Sequence, residues 1–286
     1  MLLRQKLVIQ TLRAAGRPLS RLELVKWLFV LRQQLSAVAG PTFYEFLPHH
    51  RGPYSFVLRR ELDSLASDGI VVARGERWQL ATGEVRSGVS ADQAKRMEAV
   101  FRPLRGMTEE ELLDHVYTNH PEFTMCGESR RLVERPTADC RVYTCGYEGV
   151  SVDGFLWLLI RSGIRRLIDV RRNPIARRYG FHKTTLAGLC GRVGVEYQHL
   201  PELGIASERR NGNGTPPERG VLLDWYESEY LPGAGKGVAS VAGWVLDRPS
   251  AVMCQESDPC ECHRSRLANR VAEVTGLPLV HLRHSS

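Results

Sequence analysis

Cys254, Glu256, Cys260, Cys262, His263 and Arg264 lie within eleven consecutive positions. Together they offer thiol, carboxylate, imidazole and guanidinium groups. A carboxylate partly withdrawn from water serves as a general acid or base, and histidine needs little tuning for the same role. Arginine stabilises a developing negative charge or holds a phosphate. Cys254 becomes a nucleophile if a neighbouring cation lowers its pKa, although packing is the commoner use of a strand-end cysteine. A Cys-x5-Arg phosphatase loop needs arginine at position 260, where Cys260 stands, so phosphatase and rhodanese chemistry are disfavoured. Cys254, Cys260 and Cys262, together with the His263 imidazole, are also a candidate set of zinc donors. Their spacing is not that of a zinc ribbon, and adjacent residues such as Cys262 and His263 rarely share one tetrahedral ion. No cofactor is therefore expected, with zinc through Cys254, Cys260 and Cys262 as the alternative.

A second cluster begins at Asp169. Arg171, Arg172, Arg177, Arg178, His182 and Lys183 follow within 13 positions. Such a basic loop opening a helix suits phosphate. Asp169 is a candidate catalytic carboxylate, and a structural ion pair with Arg171 is the competing reading. Tyr147, Trp225 and Tyr226 are candidates for stacking on a base.

These residues need a scaffold. From Arg141 onward, strand-like and helix-like segments alternate: 141–145, 152–161, 165–171, 183–193 and 196–200. After a long loop come helices near 216–230 and 236–247, a strand at 250–254, a helix at 262–275 and a strand at 277–282. This alternation predicts a mostly parallel sheet covered on both faces, a three-layer α/β/α domain. In such sheets ligands bind beyond the carboxyl ends of the strands, and each cluster follows a strand.

The carrying residues are Gly146-Tyr147, Asp169-Val170-Arg171, Asn173-Pro174, Arg177, Gly180-Phe181-x-Lys183, Tyr197-x-His199-Leu200-Pro201-x-Leu203-Gly204, Cys254-x-Glu256 and Cys262-His263-Arg264. In order and spacing they resemble the domain of unknown function family 488 over about residues 141–283. The resemblance implies a fold but no activity. Ile205, where the family often has glycine, and the extra Cys260 depart from its pattern.

The first part of the chain reads differently. A helix over 2–14 ends near Gly16–Pro18. A second begins at Ser20, with Glu23 completing a capping box. Gly52–Pro53 reads as a turn, and Ser55 caps a third helix that Gly69 stops. Two short strands follow, joined at Arg74–Gly75–Glu76. This is the order of a winged helix-turn-helix, whose third helix enters the major groove. Arg51, Tyr54, Ser55, Arg59, Arg60 and Arg74 are the candidate DNA contacts. The segment around Gly52-Pro53-Tyr54-Ser55 also resembles the signature of SocA-like, or Panacea, antitoxin-type domains over about residues 20–125, which implies a toxin–antitoxin or phage-defence setting. The expected organisation is a winged helix over 1–85, a helical connector over 86–139 and an α/β domain over 140–286.

The chain has 286 residues, a formal charge of +7 and seven cysteines. Moderate basicity favours an acidic partner such as DNA. There is no long apolar run and no secretory signal, so a cytoplasmic protein with reduced thiols and no membrane partner is expected. A homo-oligomer is compatible with the sequence. The expected function is DNA binding coupled to a hydrolase of glycosylase type, which excises modified or damaged bases. Catalysis falls to Asp169, Glu256 and His263, and substrate binding to Arg171, Arg177, Lys183, Arg264 and Tyr147. The alternative is a winged-helix transcriptional regulator whose α/β domain senses a small molecule, a metal or redox state.

Overall fold

The computed structural model describes residues 1–40, 42–81, 87–127, 131–210 and 216–284. The chain divides into two units, Met1–Glu134 and Arg135–Ser286. The first contains α1 (Leu3–Ala15), β1 (Leu19–Ser20), α2 (Arg21–Gln34), a single turn α3 (Ser36–Ala39), β2 (Leu47–His49), β3 (Gly52–Tyr54), α4 (Phe56–Ser67), β4 (Val71–Arg74), β5 (Arg77–Leu80), α5 (Ala91–Phe101) and α6 (Glu109–Asn119). The capping box forms at α2: Ser20 Oγ accepts from Glu23 N at 3.1 Å, and Ser20 N donates to Glu23 at 2.7 Å. Strands β1, β5 and β4 form an antiparallel sheet in that order.

Two expectations change here. Gly52–Pro53 is not the turn. It opens β3, which pairs with β2, so the reversal falls at His50–Arg51. The connector expected over 86–139 is not a separate element. Met97, Val100 and Phe101 of α5 and Leu112, Val116 and Tyr117 of α6 enter the same core as Leu7, Trp27, Phe29 and Leu62. Trp27 stacks on Phe101 with ring centroids 5.1 Å apart. An apolar stripe on a helix must be buried somewhere, and the helices of the first unit supply the surface.

The second unit is an α/β domain with a five-stranded parallel sheet. Its elements are β6 (Val142–Gly146), α7 (Val152–Arg161), β7 (Arg166–Asp169), α8 (Lys183–Arg192), β8 (Glu196–His199), α9 (Ser207–Arg210), α10 (Pro216–Trp225), α11 (Leu231–Gly233), α12 (Gly235–Asp247), β9 (Ser250–Cys254), α13 (His263–Thr275) and β10 (Leu279–Leu282). Tyr226–Tyr230 continues α10 as a π-helical segment. The strand order is β10-β6-β9-β7-β8. From β7 the chain leaves toward β8, and from β9 it leaves the other way, past β6, to β10. Strands β9 and β7 are neighbours whose connections diverge, so the crevice of the sheet opens between their carboxyl ends.

Side-chain alternation then sorts the residues by face. Ile168, Val170 and Val252 pack in one cluster with Val241 of α12 and Leu267 and Val271 of α13. Cys254 has the parity of Val252 and shares that face. Asp169 pairs in register with Met253 and points to the other face. Among the described residues, no helix is long and apolar enough to cross a membrane.

Candidate active site

Asp169 is fully buried and Arg171 almost so. Asp169 Oδ1 accepts from Arg171 N at 3.0 Å and Nε at 2.9 Å; Oδ2 accepts from Arg171 Nη2 at 2.6 Å and from Tyr197 Oη at 2.6 Å. Burial opposes the Arg171 charge, but Asp169 outweighs it and raises the guanidinium pKa. The remaining Arg171 Nη1 donates to Tyr147 Oη at 3.0 Å. Tyr147 is itself buried and stacks on Phe181, with centroids 4.2 Å apart. The expectation of Asp169 as a catalytic group, Arg171 as a phosphate ligand and Tyr147 as a base-stacking platform is therefore corrected. Their polar atoms saturate one another inside the domain. Arg177 and Lys183 stay exposed on the loop and at the start of α8.

Arg264 is corrected as well. It is 1% exposed and donates to the backbone carbonyls of Glu256 and Ser257. It holds the loop after β9 from below. The loop after β6 holds the same loop from the side: Tyr147 N and Glu148 N donate to Gln255 O at 3.1 and 2.9 Å, and Glu148 Oε2 accepts from Ser257 N at 3.1 Å. The close approach explains Gly146. A Cβ there would lie 1.9 Å from the Glu256 carbonyl oxygen.

This clamped loop presents the second cluster. Cys254, Cys262 and His263 are buried, and their ligating atoms lie within 4.8 Å of one another. Cys254 Sγ is 3.8 Å from His263 Nδ1. His263 Nε2 lies 3.4 Å from Val170 O, across the β9–β7 crevice. Cys262 Sγ donates to Glu256 Oε2 at 2.8 Å. Burial, then the neighbouring Cys254, pushes the Glu256 carboxyl pKa up. Burial likewise drives the Cys262 thiol well above its ordinary value.

Adjacency did not keep Cys262 and His263 apart. Cys262 is extended, with φ −133° and ψ 136°, and α13 starts at His263. The change of backbone conformation between them lets neighbouring side chains converge. Cys260 is exposed and lies outside the cluster, so the donors weighed for zinc lose Cys260 and keep Cys254, Cys262 and His263. Glu256, Cys262 and His263 line a cavity of about 280 Å³ together with Glu148, Arg219 and Glu261. Sequence reading missed Arg219, which lies in no motif and which only the tertiary fold brings to the cavity.

In the first unit, Ser55 is fully buried and its hydroxyl accepts from Leu58 N at 3.2 Å. It is a helix cap, which corrects its assignment as a DNA contact. Tyr54 is half-buried, stacked over His49 at 5.0 Å, and lines a cavity of about 300 Å³ with Lys26, His50 and Arg51. Lys26 Nζ donates to Pro53 O at 2.7 Å. Burial, and then the charge of Arg51, pushes its ammonium down to about 7. Arg51 pairs with Glu109 at 3.3 Å and Arg59 with Asp63 at 3.2 Å, both near the surface. Arg60 and Arg74 are exposed.

No curated protein matches the chain. Residues 151–271, within the C-terminal unit, match the family described as Domain of unknown function DUF488.

Proposed function

We propose that the chain binds DNA through its first unit and processes nucleic acid with its second, excision of a modified or damaged base being the reaction class. The observation that carries this reading is the convergence of Glu256, Cys262 and His263 on a cavity of about 280 Å³ beside the β9–β7 crevice. That volume is at the small end of ligand pockets. Glu256 is the general acid or base, and Asp169 has no part in the chemistry. Arg219, on the cavity wall and paired there with Glu261, is the cation for an anionic substrate.

DNA binding is supported by the β4–β5 hairpin that follows α4 in the chain and pairs through β5 with β1, the helix-then-hairpin order expected of a winged helix. Arg60 on α4 and Arg74 at the tip of the hairpin are the exposed contacts. Exposed ion pairs contribute about 0–1 kcal/mol, so Arg51 and Arg59 can exchange their carboxylates for phosphate at small cost.

The test has two arms. Fluorescence anisotropy with duplex DNA across a salt series should give binding whose salt slope falls by about one for each of Arg60→Ala and Arg74→Ala. Oligonucleotides carrying varied modified bases should yield a product that Glu256→Gln abolishes. Neither duplex binding nor product with any substrate would overturn the proposal. The grouping of Cys254, Cys262 and His263 favours a second reading, a regulator that senses a metal. An operator-specific footprint that shifts with metal, without any product, would select it.

A further inference from the structure

We infer that Cys254, Cys262 and His263 form a zinc site with its fourth position open to the Glu256 cavity. The inference deepens the proposed function by supplying a water-activating centre, and the site itself stands whatever the substrate.

Three observations carry it. The first is the donor set. Two thiolates and an imidazole suit a borderline-soft divalent ion, and a site with three protein ligands leaves one tetrahedral position for water or substrate. Zinc–sulfur and zinc–nitrogen bonds of about 2.3 and 2.0–2.1 Å at a tetrahedral angle place sulfur and nitrogen about 3.6 Å apart. Cys254 Sγ and His263 Nδ1 are 3.8 Å apart.

The second is the orientation of the imidazole. Its Nε2 faces Val170 O at 3.4 Å. A ring N–H directed at a backbone carbonyl is the usual outer support of a metal-bound histidine, and it fixes the tautomer that leaves the other nitrogen as ligand. Here that other nitrogen faces the two sulfurs.

The third is electrostatic. Arg264 is 1% exposed and its partners are backbone carbonyls. Among the described residues it has no carboxylate partner, and its Nε finds no acceptor. A buried cation without an anion is costly. Zinc neutralises two thiolates, and a hydroxide on the fourth position would give the site a net negative charge beside Arg264.

Glu256 then acquires a defined place. Without metal, the Cys262 thiol donates to Glu256 Oε2 at 2.8 Å. Zinc displaces that thiol proton to solvent, because only the thiolate is a ligand. The freed carboxylate stays on the wall of the cavity that Cys262 and His263 also line. Cys260 has no part in the site.

The experiment uses the full chain purified without chelator. Zinc is measured by inductively coupled plasma mass spectrometry, and cobalt(II) is titrated into protein stripped of metal. We expect about one equivalent of zinc per chain and tetrahedral cobalt absorption with a thiolate-to-cobalt charge-transfer band. Cys254→Ser and Cys262→Ser should each lower zinc content at least tenfold. Cys260→Ser and Glu256→Gln should retain it. Circular dichroism of the stripped wild-type chain, before and after zinc is restored, separates metal loss from unfolding should a cysteine variant fail to fold.

Wild-type protein that neither carries zinc nor gives the cobalt spectrum would overturn the inference, and so would zinc retained in both cysteine variants. Loss of zinc in Glu256→Gln would make Glu256 the fourth ligand and overturn the open position. Zinc present with no action on any nucleic acid would refute the proposed function and leave the metal site standing.

Discussion

Replacing Asp169 by asparagine separates a structural carboxylate from a catalytic one. The change keeps the shape and removes the charge. Asp169 is fully buried and accepts from Arg171 N, Nε and Nη2 and from Tyr197 Oη, at 2.6–3.0 Å. Asparagine retains one acceptor oxygen. Its amide nitrogen would meet donors arriving from Arg171 Nη2 and Tyr197 Oη, or from Arg171 N and Nε if it flips. Arg171, 4% exposed, is left as a buried charge without an anion. Removing one partner of a buried pair costs about 3–5 kcal/mol, roughly two to four orders of magnitude in the folding equilibrium. Urea-dependent hydrogen exchange of the β7 and β8 amides in the full chain would report it in the right unit. Asp169→Asn combined with Arg171→Met removes both charges and should recover most of the loss. An Asp169→Asn chain destabilised by less than about 1 kcal/mol, yet without nucleic-acid-processing activity, would refute the argument and return Asp169 to the active site.

Two further outcomes follow from single contacts. Gly146→Ala places a methyl group 1.9 Å from the Glu256 carbonyl oxygen, and backbone cannot yield as a side-chain tip does. A loss of about 1–3 kcal/mol is expected in thermal denaturation, and an unchanged melting temperature would show that the loop is not clamped as described. Lys26 sits at about 7, below its ordinary 10.5. Between those values the unfolded chain holds a proton that the folded chain lacks, so stability rises with pH across that window and is lost as pH falls through 7. Arg21, His49, His50, Arg51, Glu76 and Glu109 line the same cavity and stay in place in Lys26→Met, so that variant should show a flatter stability–pH profile from about 7 to 10.5. An unchanged slope would mean that Lys26 stays charged in the folded chain.

Local signals in the sequence were legible where the structure is local. The Ser20–Glu23 capping box, the caps at Ser55 and Gly69 and the alternation from Arg141 depend on neighbours in the chain, and the parallel sheet followed from the last of these. The α5 stripe, Met97, Val100 and Phe101, also has readable helical spacing. It was assigned to a connector because polarity says that a face is solvated, not which partner takes the other face. The site was legible as a set of strand ends and illegible as a geometry. Asp169 closes β7 and Glu256 follows β9, but register decides the face, and register is fixed by pairing with a strand far along the chain: Asp169 aligns with Met253. One step of parity places its carboxylate with Arg171 and Tyr197, opposite the side that Cys254 and His263 share. Charge is ambiguous for the same reason. Arg177 and Arg171 lie in one basic run, yet one is exposed and the other is an internal tie. Arg264, beside the histidine, holds two carbonyls of the loop it was expected to serve from the substrate side. A basic motif at a strand end therefore marks where a loop must be held as readily as where an anion binds. The distinction rests on which polar atoms remain unsaturated once the loop is closed. At this crevice the acidic side of the answer is Glu256, whose described bonded partner is a thiol that a metal would deprotonate.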